Sequence, residues 1–421
     1  MVATDRSQMR WTSALSRLPS LEAALNEVVQ QSQARLDAPA DLGLVFISAA
    51  FASEYSRLMP LLKEKLAVPT LIGCGGGGII GLNGKGEAEE VEQEPAISLT
   101  LAHLPGVTLR AFHIASEDLP DLDSPPDAWI DLVGIPPSDN PHFVLLADPL
   151  SAKVNDFLQG LDFAYPSAVK VGGLSSGGGM GNSSGLFCNY QLHREGTVGV
   201  AMSGNIRLDA IVAQGCRPIG ETYRVTEGDR NILLGLETQE AGGGVSNGKS
   251  RTPLEVLQTL IEKLSDEDRA LAQHSLFVGV ARSEFKQDLD HGDFLIRNLL
   301  GVDPRVGAIA IGDRVRPGQR IQFHLRDAQA SSEDLETLLR RYQKQNQGKT
   351  PAPLGALMFS CLGRGEGLYG VPNFDSQVFS RYLPDVPLTG FFCNGEIGPI
   401  GGNTFLHGYT SVFGICRPIG D

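Results

Sequence analysis

The residues best suited to chemistry gather near the C-terminus. In Phe359-Ser360-Cys361-Leu362-Gly363-Arg364-Gly365 an apolar run ends in small residues and a single arginine. In Phe391-Phe392-Cys393-Asn394-Gly395-Glu396-Ile397-Gly398-Pro399 a second apolar run ends in Asn and Glu among glycines, and His407-Gly408-Tyr409-Thr410 follows. Both read as strands that stop where loops begin, which is where α/β sheets hold ligands. A guanidinium can take a carboxylate bidentately, a glutamate can receive an ammonium or hydroxyl, and glycine-loop N–H groups add donors. The candidate ligand-binding set is therefore Cys361, Arg364, Cys393, Asn394, Glu396 and His407. The plainer reading pairs Arg364 with Glu396. Cys361 or Cys393 with His407 also supports an alternative, an enzyme acting on a small carboxylated metabolite. No catalytic set is assigned.

Two further glycine loops form a second candidate site, Gly73, Cys74 and Gly75 together with Gly172, Gly173 and Ser175. The segment Gly73 to Gly78 satisfies G-x-G-x-x-G after a strand, but the following Ile79 to Gly86 has no helical period to hold a pyrophosphate. The segment Gly243 to Ser250 matches G-x-x-x-x-G-K-S, yet Thr252-Pro253 starts the next helix after the Lys and Ser rather than at them. Both read as backbone loops, the second on the surface, and no nucleotide cofactor is expected. The cysteines form no Cys-x-x-Cys pair, and Cys361, Cys393, Glu396 and His407 lack a recognised ligand spacing, so no metal is expected.

The elements that must position these residues repeat. A buried strand, an amphipathic helix, a short strand and a glycine-rich loop recur at Leu42 to Gly81, His142 to Gly181 and Leu354 to Gly402. A pentapeptide also recurs, Cys216-Arg217-Pro218-Ile219-Gly220 and Cys416-Arg417-Pro418-Ile419-Gly420. It divides the chain into two halves whose repeats are expected to occupy equivalent strand ends. Residues 1–41 read as an N-terminal helical segment, with a helix after Pro19-Ser20 that Ser20 can cap. Residues 42–220 and 221–421 read as two similar modules. The fold class is α/β (mixed α+β), with mixed, partly antiparallel sheets covered by helices.

The chain has 421 residues, 42% hydrophobic, and a formal charge of −14. That balance repels phosphate backbones, so nucleic acid is not an expected partner. No run of 18 apolar residues suggests a membrane span, and Met1 to Trp11 has no apolar core of a secretory signal. A cytoplasmic location with reduced thiols follows as the expectation.

These motifs resemble the FIST family, named for F-box and intracellular signal transduction. The stretch from Leu42 to Ser48 through Thr70-Leu71-Ile72-Gly73-Cys74 to Gly220 resembles the FIST N module. From Tyr223 onward, through Leu357 to Gly365, Gly395-Glu396-Ile397-Gly398-Pro399 and His407 to Thr410, the chain resembles the FIST C module. The resemblance implies a sensory, signal-transducing module that binds a small ligand, an amino acid or a related metabolite. It supplies no catalytic residues. Neither an F-box-sized region before Leu42 nor a signalling module after Gly420 is recognised, so output is expected through an unknown protein partner or a homo-oligomer. The Gly242 to Ser250 segment is longer than the family's usual turn.

Overall fold

The computed structural model describes residues 8–151, 153–178, 185–238, 250–282, 286, 289, 293–348 and 350–419. The chain divides into two compact units, Met1–Ala213 with Leu335–Asp421, and Gln214–Asp334.

The larger unit is a threefold repeat. The first copy comprises β1 (Arg10–Ser16), α1 (Leu21–Leu36), β2 (Leu42–Ser48), α2 (Tyr55–Lys65), β3 (Thr70–Gly76), β4 (Gly78–Leu82), β5 (Ala88–Glu92) and β6 (Ile97–His103). The second comprises β7 (Val107–Ile114), α3 (Pro126–Val133), β8 (His142–Ala147), α4 (Val154–Ala164), β9 (Lys170–Leu174), β10 (Leu186–Cys188), β11 (Gln191–His193) and β12 (Thr197–Gly204). The third opens with β13 (Arg207–Ala213) and is interrupted by the smaller unit, which contributes β14 (Cys216–Asp229), β15 (Ile232–Thr238), α5 (Pro253–Glu262), α6 (Asp266–Ala272), β16 (Leu276–Ala281), β17 (Phe294–Asp303), β18 (Ala308–Ile311) and β19 (Arg320–Arg326). It resumes with α7 (Ala328–Asn346), β20 (Gly355–Cys361), α8 (Glu366–Tyr369), α9 (Phe374–Tyr382), β21 (Leu388–Cys393), β22 (Glu396–Ile400), β23 (Asn403–His407) and β24 (Ser411–Arg417).

Each copy has one parallel pair, β2 with β3, β8 with β9 and β20 with β21, joined by a helix as a parallel crossover requires. The chain then leaves its own sheet. β4 pairs with β21, β10 with β3 and β22 with β9, all antiparallel. Among the described residues this exchange yields three six-stranded mixed sheets of equivalent order, β1-β6-β2-β3-β10-β11, β7-β12-β8-β9-β22-β23 and β13-β24-β20-β21-β4-β5.

Strand alternation explains how the three sheets close. Leu42, Leu44 and Phe46 share one core with Val144, Leu146, Leu357 and Phe359, so the inner faces of all three sheets meet. Val45 and Ile47, on the opposite face of β2, pack beneath the first copy's helices, with equivalent helix-covered cores outside the other two sheets. At three matching positions only glycine fits. A Cβ on Gly73, Gly172 or Gly390 would lie 2.0, 1.8 or 1.8 Å from the carbonyl oxygen of Val45, Leu145 or Met358 on the neighbouring parallel strand.

The smaller unit is a closed barrel in the order β14-β15-β18-β17-β16-β19, filled by residues such as Val225, Leu236, Ile309, Ile321 and Phe323. The Thr252-Pro253 start of α5 is a complete capping box with Glu255. Lys249 and the rest of the Gly243 to Gly248 motif lie outside the described residues.

The mixed α/β class, a division into two modules and the three strand-helix-strand units appear as the residue patterns predict, but the modules are not similar halves. One holds the three exchanged sheets, from Met1–Ala213 with Leu335–Asp421, and the other, Gln214–Asp334, is the barrel. The pentapeptide expectation is corrected. Cys216 opens β14 opposite Arg326 in the barrel, whereas Cys416 lies near the end of β24 between Leu208 and Gly355. Five residues specify a local backbone path, but the sheet that receives it depends on the whole surrounding strand order. Ser20 stands at the N-cap of α1 but makes no side-chain cap bond. The N-terminal segment also contains a strand, since β1 pairs antiparallel with β6.

Candidate functional site

The three glycine-rich loops follow the three parallel strand pairs, and the repeat brings them to one junction. Ser48 N–H, Asp148 N–H and Cys361 N–H, at equivalent strand ends, donate to the carbonyls of Ala96, Gly196 and Thr410. Around them the loops interlock. Ser175 Oγ donates to Gly75 O at 2.8 Å, Gly77 N–H donates to Ser176 Oγ at 2.7 Å, and Ser176 Oγ donates to Phe392 O. Asn394 Nδ2 reaches Ser175 O at 3.2 Å. A Cβ on Gly173 would meet Cys393 Sγ at 2.4 Å. The two candidate sites read from the sequence, Cys393 and Asn394 with their neighbours and the Gly73–Gly75 and Gly172–Ser175 loops, are thus one locus.

Glu396 is its most unusual member. The side chain is wholly buried on β22. Oε2 accepts the Thr410 N–H at 3.1 Å, while Oε1 has no hydrogen-bond partner among the described residues. Burial pushes its carboxyl well above the ordinary range, opposed by the Thr410 N–H, by the charge of Arg364 and by the Cys361 thiol. His407 is its cross-strand neighbour on β23, with Nε2 3.0 Å from Gly398 O. Asn394 is exposed and Cys361 half-buried at the strand ends. Cys393 is fully buried, and burial pushes its thiol up, away from the thiolate that nucleophilic attack needs.

Arg364 is occupied differently from the sequence expectation. Its fork holds Asp375, at 2.7 Å from Nε to Oδ2 and 3.0 Å from Nη2 to Oδ1, and both side chains are fully buried. Tyr369 closes the group, accepting from Arg364 at 2.5 Å and donating to Asp375 at 2.9 Å. Asp375 therefore occupies the bidentate edge of Arg364, whose charge favours the ionised form of Glu396. Glu90 on β5 lies beside Asp375. Burial first and Asp375 second push its carboxyl up to about 8, and Oε2 has no hydrogen-bond partner among the described residues.

Sequence reasoning missed Asp375, Tyr369, Glu90, Ser360, Ser411 and Thr410. Ser360 and Ser411 are cross-strand partners whose buried hydroxyls lack hydrogen-bond partners among the described residues. Glu90 sits in the acidic run Glu87 to Glu92, which looks solvated in one dimension, and only packing under α9 reveals it. Among the described residues no group of three His, Cys, Asp or Glu side chains could hold a metal, and no helix is long and apolar enough to cross a membrane.

Three exchanged sheets, a junction of glycine loops and an inserted barrel define a two-module mixed α/β protein whose polar groups concentrate at strand ends. The chain belongs to the FIST family, the FIST N domain matching residues 41–239 and the FIST C domain residues 253–399. FIST domains are sensory signal-transduction domains. The chain is 33% identical over 405 residues to an uncharacterised protein of Mycobacterium tuberculosis, covering 96% of this chain and 98% of that one. It is 25% identical over 255 residues to an F-box/LRR-repeat protein of Arabidopsis thaliana, covering 55% of this chain and 46% of that one. Over 76 residues it is 36% identical to F-box only protein 22 of Homo sapiens, covering 14% of this chain and 19% of that one.

Proposed function

We propose that this chain senses a small polar metabolite carrying an amino group, an amino acid or a relative of one, at the junction of the three glycine loops. Glu396 is the residue that meets the ligand's amino group, with Cys361, Asn394 and His407 around it and Arg364 behind it. The observation that carries this reading is the buried Glu396 carboxyl, with Oε1 unmatched by any hydrogen-bond partner among the described residues, at the point where all three repeats converge. Buried polar atoms are ordinarily satisfied, so an unmatched carboxyl oxygen at a loop junction suits a ligand group. Ligand binding favours one arrangement of loops already interlocked by hydrogen bonds, and the signal passes to a protein partner or a second copy of the chain. The six cysteines, all free thiols, suit a cytoplasmic setting.

A thermal-shift screen against amino acids and related metabolites tests this. A ligand at about 100 times its dissociation constant adds roughly 2.7 kcal/mol of stability. Glu396→Gln is expected to keep the ligand-free melting temperature within a few degrees of the parent and to abolish most of the ligand-dependent shift. Equal shifts in both proteins would remove Glu396 from the site.

A further inference from the structure

Cys361 and Cys393 stand opposite each other in the parallel register of β20 and β21. Parallel partners project from the same face, and neighbouring strands lie about 4.8 Å apart. Disulfides span Cα separations of roughly 4.4–6.8 Å, so the pair is within bridging reach. The two thiols also sense each other, since Cys361 is one of the groups holding the Cys393 thiol up. Their surroundings differ in a useful way. Cys361 is half-buried, its sulfur accepts the Gly363 N–H at 3.4 Å, and its thiol favours the ionised form of the neighbouring Glu396 carboxyl. Cys393 is buried, and its thiol donates to Phe391 O at 3.5 Å.

We propose that Cys361 and Cys393 form a peroxide-oxidisable dithiol, with Cys361 the attacking sulfur and Cys393 the resolving one. Cys361 gives up its proton, and its sulfur attacks one oxygen of hydrogen peroxide. The O–O bond breaks, a sulfenic acid forms on Cys361, and the departing hydroxide takes a proton to become water. The Cys393 sulfur attacks the Cys361 sulfur as the Cys393 proton passes to the departing sulfenic oxygen. The S–S bond forms, the S–O bond breaks, and a second water leaves with that proton. Two thiols lose two electrons in all, and one peroxide becomes two waters. Disulfides of this transient, sensing kind are those that occur in reducing compartments. The bond would tie the ends of β20 and β21 together, and its formation does not depend on the ligand reading above.

The test treats the intact protein with hydrogen peroxide, blocks the remaining thiols under denaturing conditions, and reads the digest by mass spectrometry. A linked peptide pair carrying Cys361 and Cys393, reversed by a dithiol reductant, is the expected result. Cys393→Ala should leave Cys361 as a sulfenic acid that a cyclic diketone traps, and Cys361→Ser should leave Cys393 reduced. The parent protein decides the matter even where a variant folds poorly. Cys361 passing to sulfinic acid with no linked peptide, or a bridge to a different cysteine, would overturn the assignment.

Discussion

Glu90 and the Arg364–Asp375 pair are ionisable groups that folding takes out of water, and each leaves a measurable mark. Glu90 titrates near 8 in the folded chain against an ordinary value of 4.5. Between those values the folded protein holds a proton that the unfolded chain has released, so stability falls as pH rises through that window. Glu90→Gln should remove a contribution of up to about 1.4 kcal/mol per pH unit, seen as diverging melting curves of parent and variant between pH 5 and 8. Parallel curves would show that Glu90 is ionised in the fold. For the pair, Asp375→Asn strands a buried guanidinium and is expected to cost about 3–5 kcal/mol in denaturant unfolding, whereas the double change Arg364→Met with Asp375→Leu should recover much of that loss. Glu396 adds a binding signature. An ammonium ligand needs its ionised form, so binding releases a proton and affinity should strengthen with rising pH until the raised value is passed.

The elements depend on glycine where two adjacent parallel strands leave no room for a side chain. Gly73→Ala, Gly172→Ala and Gly390→Ala each drive a Cβ to 2.0 Å or less from a carbonyl oxygen of the adjacent strand. Backbone cannot yield as a side chain can, so each change should cost at least the ~3 kcal/mol upper range of ordinary overpacking. Gly84→Ala meets nothing within 4 Å and should stay within about 0.5 kcal/mol of the parent. Equal unfolding midpoints for Gly73→Ala and Gly84→Ala would contradict the close approach. Thr252→Ala, by opening the capping box of α5, should cost about 1 kcal/mol.

The chain comprises a three-sheet unit and a barrel unit, Gln214–Asp334, that is inserted after β13 and ends within α7. The two ends of the insertion are fastened together within the barrel unit, where Ser331 Oγ donates to Gly215 O at 2.9 Å and Gly215 N–H donates to Asp334 Oδ2 at 3.1 Å. Replacing residues 214–334 with a short Gly/Ser linker should therefore leave a folded three-sheet protein, with its far-ultraviolet circular dichroism and one cooperative melt retained. A chain without a melting transition would show that the barrel is required. Much of this organisation was legible in one dimension. The strand Leu42–Ser48, the start of α5 and the three strand-helix-strand units follow from alternation, helical period and capping residues, which act within a few positions of one another. Cys393, Asn394 and Glu396 could likewise be recognised as a cluster because one short loop carries them. Tertiary structure alone decided that β4, β10 and β22 cross into other copies' sheets, that two candidate sites are one junction, and that Arg364 is held by Asp375 beside a buried Glu90. Those outcomes rest on which distant strand edge satisfies a backbone hydrogen bond and which helix excludes water from a side chain, and neither is encoded in the spacing of neighbouring residues.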